Sequence, residues 1–251
     1  MRGAHRPGHS PPAGGLCAAG GCRKAGIPGG GCATMLCALM SSSPSPSSPR
    51  LSDVFARAHL VLGGQKSGKS RWAEEAAARW LAADCAHEAV LLATAWPHGP
   101  EMRERIARHQ RERAGRAPGM RTQEAWRDLP AAIAGAGGER TLRVVDCLTL
   151  WLTQIMLPPP GMPALRQPPD AFLAAPAAPA WQAQAAWLLD AARACPGPLV
   201  LVSNEIGLGV IPLGRETRAF ADALGWLNQQ AAACCERVTF MAAGLPLHLK
   251  A

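Results

Sequence analysis

Leu60-Val61-Leu62-Gly63-Gly64-Gln65-Lys66-Ser67-Gly68-Lys69-Ser70 is the stretch that decides the fold. Its last eight residues fit the pattern G-x4-G-K-[ST]. A short apolar run leads into it, and an Ala-rich segment of helical period, Arg71 to Ala83, leads out with Trp72, Ala76 and Trp80 on one face. Glycines let a backbone turn tightly and aim its N–H groups at phosphate oxygens. The following helix N-terminus adds partial positive charge. Lys69 is spaced to reach the β- and γ-phosphates of a nucleotide, and Ser70 to ligate Mg²⁺. Gly63, Gly64, Gln65, Lys66, Ser67, Gly68, Lys69 and Ser70 are therefore candidate nucleotide-binding residues.

Outward from this loop, apolar runs alternate with helical periods. Ala89 to Thr94, Leu142 to Asp146, Pro198 to Ser203 and Arg237 to Ala242 read as strands, with Leu247 to Leu249 a candidate edge strand. Leu148 to Met156 reads as a helix, and Phe220, Leu224, Leu227 and Ala231 repeat at helical spacing. Continuous apolar strands between helices predict an α/β fold of P-loop NTPase type: a mostly parallel sheet with helices on both faces. In such sheets ligands sit at the carboxyl ends of the strands. Gly63, Thr94, Asp146 and Glu205 all fall there. Asp146 is the natural acid for a metal beside the phosphates, with an N-cap ahead of Leu148 as its structural alternative. Glu205 is the second candidate acid.

The chain has 251 residues, 48% of them hydrophobic, which suffices for one sizeable core. Residues 1–50 are Gly-, Ala-, Ser- and Pro-rich without period and are expected to be a disordered tail; residues 51–251 form the catalytic domain, with a Pro/Ala-rich insertion at 157–180. The net charge of +8 is concentrated in the first 58 residues, which hold six bases and one acid. With aromatic content at 5% and no stacking motif, nucleic acid is not an expected partner. No apolar run is long enough to span a membrane. Cys17, Cys22, Cys32 and Cys37 lack the tight pairs of a zinc site. The other five of the nine cysteines lie mostly in apolar surroundings, as in the reducing cytoplasm.

Glu101 to Arg113 reads EMRERIARHQRER. Arg105, His109 and Arg113 share a helix face. Flanking guanidinium groups disfavour imidazolium, and a neutral imidazole is a competent nucleophile toward phosphorus. On pattern alone the plainer reading is a solvated charged helix with an incidental histidine.

Several ordered blocks carry a resemblance. Leu62 to Arg71, Ala93-Thr94-Ala95, the Glu101 to His109 helix, Thr122 to Trp126, Asp146 to Thr149, Ser203 to Pro212, and Gly244 to Lys250 occur in the order seen in bifunctional adenosylcobinamide kinase/adenosylcobinamide-phosphate guanylyltransferases of cobalamin biosynthesis. The chain resembles that family over about residues 59–250. The resemblance implies phosphorylation of adenosylcobinamide with ATP or GTP. GMP then passes from GTP through a GMP–histidine to the new phosphate, giving adenosylcobinamide-GDP. It makes His109 the nucleophile and reverses the plainer reading of that residue. It also implies guanine-nucleotide contacts at Ala93, Thr94, Ala95, Gln110, Arg111, Glu112, Arg113, Glu124 and Asp146 beside the loop, and a homotrimer. Glu124 is placed to accept from guanine N1–H and N2–H. The chain departs from the family at Arg108, where some members carry a second histidine, and at Ala95, where a hydroxyl is usual. Two other readings stand beside this one: a P-loop kinase of another small alcohol with a structural His109, and a non-catalytic nucleotide switch.

Overall fold

Seven strands form one sheet in the order β3-β2-β4-β5-β1-β6-β7, parallel throughout except for β7, which runs antiparallel to β6. The computed structural model describes residues 56–173 and 179–251. The expected tail, its four cysteines and residues 174–178 of the expected insertion lie outside the described residues.

In chain order the elements are β1 (Ala58–Gly63), α1 (Lys69–Ala83), β2 (Glu88–Ala93), α2 (Gly99–Arg116), β3 (Arg121–Glu124), α3 (Leu129–Gly135), β4 (Thr141–Asp146), α4 (Leu148–Met156), α5 (Ala180–Arg193), β5 (Leu199–Val202), α6 (Arg215–Cys234), β6 (Arg237–Ala242) and β7 (Leu245–Lys250). Strands β1, β4 and β5 are buried on both faces, as their mainly apolar runs require. One face of the sheet packs Val61, Leu91, Val144 and Val200 against Trp72, Ala76 and Trp80 of α1. The other packs Leu60, Leu92, Val145 and Leu201 under α3, α4, α5 and α6.

Three elements go beyond the sequence reading. Strand β3 is the four polar residues Arg121 to Glu124, an edge strand paired with β2 alone, so no apolar alternation marks it. Helix α3 starts at Asp128, whose carboxylate accepts from the Ala131 N–H at 3.2 Å. Helix α5 buries Ala185, Leu188, Leu189 and Ala192, a spacing of three and four that its alanine-rich surroundings obscure.

Two buried polar residues need an account. The Arg143 guanidinium, on β4, donates to the carbonyls of Ile133 at 2.9 Å and Thr141 at 2.8 Å, and also to Gly137 and Gly138, so every face of the charge meets a backbone oxygen. It thereby pins the α3–β4 connection. His59, 0% exposed on β1, places Nε2 2.9 Å from Thr239 Oγ1, which lies 3.1 Å from His248 Nδ1. Its ring meets that of Trp72 edge-on at 4.8 Å. Burial, reinforced by the charges of Arg237 and His248, lowers its pKa to about 4.

A histidine that resists protonation when folded binds its proton more readily when unfolded. Its contribution to stability is complete above the unfolded value near 6.5 and is lost as pH falls toward 4. The full loss is about 3 kcal/mol. Denaturation midpoints of the wild type and of His59→Gln, compared from pH 7.5 to 4.5, should converge as pH falls. A gap that stays constant contradicts this.

Candidate active site

The loop between β1 and α1 is held by contacts that admit only glycine at two points. Gly63 has φ 150°, and a Cβ there would lie 2.4 Å from the Met241 carbonyl oxygen and 2.6 Å from Ser67 Oγ. Gly68 has φ 101°, and its Cβ would lie 3.2 Å from the Gly244 Cα. The Ser67 N–H donates to Gly64 O at 3.3 Å, and the Gly244 N–H donates to Ser67 O at 3.0 Å. Helix α1 begins at Gly68 with no side-chain cap. Its first N–H groups are thus left for an anion. Lys69 Nζ donates to Gly64 O at 2.5 Å and lies 3.4 Å from Ser67 Oγ, folded over the loop. Burial lowers its pKa, against the opposing charge of Asp146 nearby. Ser70 is half-buried behind it.

Asp146 ends β4, half-buried. The residue that caps α4 is Cys147, whose Sγ accepts from the Leu150 N–H at 3.5 Å, and not Asp146. Among the described residues no hydrogen bond engages the Asp146 carboxylate. Burial, with the Asp146 charge adding, pushes the Cys147 thiol up to about 11, so it is a neutral neighbour. Ser70 and Asp146 offer a hydroxyl and a carboxylate, the hard oxygen donors that suit Mg²⁺ beside phosphate.

Thr94 is 0% exposed, and its hydroxyl is committed twice: it donates to Cys147 O at 2.9 Å and accepts from the Cys147 N–H at 2.8 Å. It thereby ties the end of β2 to the end of β4. Ala93 and Ala95 on either side are half-buried. Gln154, the one amide on α4, donates from Nε2 to Thr94 O at 2.6 Å and accepts from the Trp96 N–H at 2.8 Å. Thr149 Oγ1 accepts from the Asn204 N–H at 2.7 Å, and Asn228 Nδ2 donates to Asn204 O at 3.0 Å. Sequence reading missed the positioning roles of Gln154 and Asn228; the signal was an amide at a buried helical position. The Glu205 N–H donates to Gly63 O at 3.0 Å, and its carboxylate accepts from the Gly207 N–H at 2.9 Å.

The strand ends therefore bring the loop, Ala93 to Ala95, Asp146 and Glu205 to one edge of the sheet. Glu124, exposed at the end of β3, stands in register with Ala93 at the same edge. The α2 residues form a second group. Since β2 and β3 are parallel, α2 runs back from that edge, and His109 lies ten residues beyond the helix start. That is about 15 Å along the axis. His109 is half-buried; Arg105, Gln110, Arg111 and Glu112 are exposed. Arg113 is buried and donates to Thr122 Oγ1 at 2.8 Å, so the Arg105–His109–Arg113 face passes from solvent into the protein. Arg116 anchors the end of α2 to Glu74 of α1 at 2.5 Å. A cavity of about 260 Å³ lies between α2 and the start of β3, lined by Gln110, Arg113, Ala117, Met120 and Thr122.

Residues 59–249 match the sequence model of the cobinamide kinase / cobinamide phosphate guanyltransferase family. The chain is 40% identical over 193 residues to the bifunctional adenosylcobalamin biosynthesis protein CobP of Pseudomonas aeruginosa, covering 76% of this chain and 96% of that protein. It is 32% identical over 191 residues to the protein CobU of Escherichia coli, covering 76% of this chain and 98% of that one. Among solved structures, the flagellar accessory protein FlaH of Methanocaldococcus jannaschii superposes with a TM-score of 0.43 at 10% identity, over 80% of this chain and 82% of that one.

Proposed function

The chain belongs to the cobinamide kinase / cobinamide phosphate guanyltransferase family, and from that membership we propose how its residues divide the two reactions. The enzyme is a bifunctional transferase of cobalamin biosynthesis. In the kinase step the aminopropanol hydroxyl of adenosylcobinamide attacks the γ-phosphorus of ATP or GTP. The bond to the nucleoside diphosphate breaks and the hydroxyl proton is released. The loop N–H groups and Lys69 hold the phosphates and neutralise the charge spread over the transferring group. Ser70 and Asp146 would hold Mg²⁺, which when bound neutralises phosphate charge. The uncapped start of α1, with Lys69 folded over the loop, is the single observation that carries this assignment.

In the transferase step an imidazole nitrogen of His109 attacks the α-phosphorus of GTP, and pyrophosphate leaves. A phosphate oxygen of adenosylcobinamide phosphate then attacks the same phosphorus, the P–N bond breaks, and adenosylcobinamide-GDP is released. The phosphoramidate splits one displacement into two easier ones. Gln110, Arg111, Glu112 and Arg113 accompany His109 on α2, and Ala93, Thr94, Ala95 and Glu124 border the loop. The test is incubation with Mg²⁺ and GTP labelled at the α-phosphorus, followed by denaturation. Acid-labile, alkali-stable label on the chain supports the GMP–histidine. Bound GTP without covalent label removes the transferase step and leaves a kinase of another small alcohol.

Glu124 is assigned the guanine edge, because a carboxylate accepts from N1–H and N2–H, which adenine lacks. Glu124→Gln should cut the preference for GTP over ATP in labelling about tenfold or more, since hydrogen bonds to a charged group are the stronger ones. Unchanged discrimination in a competition assay refutes the assignment.

We assign catalysis to residues 51–251 and regard residues 1–50 as a separate tail. A homotrimer is supported by the unpaired edge of β7 and by Leu245, Leu247 and Leu249, all exposed on one side of it. Light scattering tests it. No helix among the described residues is long and apolar enough to cross a membrane. Free thiols at Cys85, Cys147, Cys195, Cys234 and Cys235 support a cytoplasmic site of action.

A further inference from the structure

The segment that follows β5 holds its backbone firmly while offering its apolar side chains to solvent. At its root, the Glu205 N–H is bonded to Gly63 O of the phosphate loop at 3.0 Å, and the Glu205 carboxylate closes the turn onto the Gly207 N–H at 2.9 Å. Asn204 is fixed on both sides, by Thr149 at 2.7 Å and Asn228 at 3.0 Å. At the far end, Arg218 Nη1 donates to the carbonyls of Pro212 at 2.9 Å and Leu213 at 2.5 Å. Between these clamps Leu208, Val210, Ile211 and Leu213 are 77% or more exposed. A contiguous apolar surface of this kind marks a binding site. No charged side chain falls between Ile206 and Gly214, so the segment is not built for a phosphate or another ion.

We propose that Leu208, Val210, Ile211 and Leu213 form the platform on which the corrin macrocycle of the acceptor rests. This rests on the reading of the chain as an adenosylcobinamide transferase. The acceptor is a large ring with a methyl-bearing edge and neutral amide arms, matching an uncharged apolar patch. Its reacting hydroxyl hangs on a short aminopropanol arm, so the ring has to sit close to the phosphate loop. The platform is continuous with that loop through the bond between Glu205 and Gly63. Both reactions act on the same arm, so one platform serves both. A pre-held backbone lowers the ordering cost of binding.

The test uses two double variants of the full chain, Leu208→Ser/Ile211→Ser and Val210→Ser/Leu213→Ser. These side chains are exposed, so the fold should survive. Cobinamide retention is measured by equilibrium dialysis at the corrin absorbance, alongside KM and kcat of the kinase step, covalent labelling by GTP, and molecular mass by light scattering. The expected result is weaker retention and a KM for adenosylcobinamide raised about tenfold or more, with kcat within about twofold. Labelling by GTP and mass should not change. Unchanged retention and KM overturn the platform while leaving the enzyme reading intact. A changed mass also overturns it, because the surface then joins copies of the chain. A wild-type protein that retains no corrinoid overturns the enzyme reading and the platform together.

Discussion

His109→Ala is expected to abolish covalent labelling by GTP and the formation of adenosylcobinamide-GDP, while phosphorylation of adenosylcobinamide persists. The transferase rate should fall by at least about 10⁴-fold, the scale on which loss of a nucleophile is felt. The kinase rate should stay within about threefold, because His109 is assigned the α-phosphorus of GTP and no part in moving the γ-phosphate. Alanine is the best helix former, and His109 is only half-buried, so α2 and its anchors at Arg113 and Arg116 should persist. The product to look for is accumulated adenosylcobinamide phosphate, resolved by chromatography. A variant that still takes up label places the nucleophile elsewhere. A folded variant that loses both activities means that the two reactions are not separable in this way.

Lys69→Ala should remove both activities. Its ammonium is folded over the phosphate loop, bonded to Gly64 O and close to Ser67. Loss of a preorganised charge aimed at a transferring phosphoryl group costs about 10²–10³ in rate. The kinase step should fall by that factor. Labelling of His109 by GTP should fall with it, because the same loop is assigned to the GTP phosphates. The variant should fold, since alanine is the best helix former and the substitution removes a charge whose burial is costly. Full labelling combined with a lost kinase would show that the GTP of the second reaction is held away from the loop, on the α2 side.

Much of this was legible in the residues because the physics is local. The runs of β1, β4 and β5 are mainly apolar since both faces of a parallel sheet are covered, and the glycines and Lys69 of the loop sit at fixed spacing because backbone N–H groups have to meet phosphate. Strand β3 was illegible because an edge strand needs only β2 for its hydrogen bonds and leaves its side chains polar. Asp146 as a cap was a fair expectation from type and position, but the next residue, Cys147, takes that place with a sulfur acceptor. Thr94 reads as a contact at a strand end; only the fold reveals that its hydroxyl is already spent on Cys147. The exposed segment from Ile206 to Leu213 would pass for core in any hydropathy reading. Its ends are tied by hydrogen bonds that the sequence does not announce, from Asn228 to Asn204 and from Arg218 to Pro212 and Leu213.

The glycines of the phosphate loop lean on the end of β6 and the turn that joins it to β7. Gly63 abuts Met241, Gly68 abuts Gly244, and the Gly244 N–H closes the loop through Ser67 O. The loop is made with β1, yet its back wall is the β6–β7 hairpin, the last in sequence of the described elements. Domains made from the N-terminus onward ordinarily assemble as they appear. Here the loop is made with β1 and stays without its back wall until β6 and β7 have followed. A truncated product lacking the closing hairpin would leave the ribosome with its phosphate-binding sequence whole and the wall behind it missing.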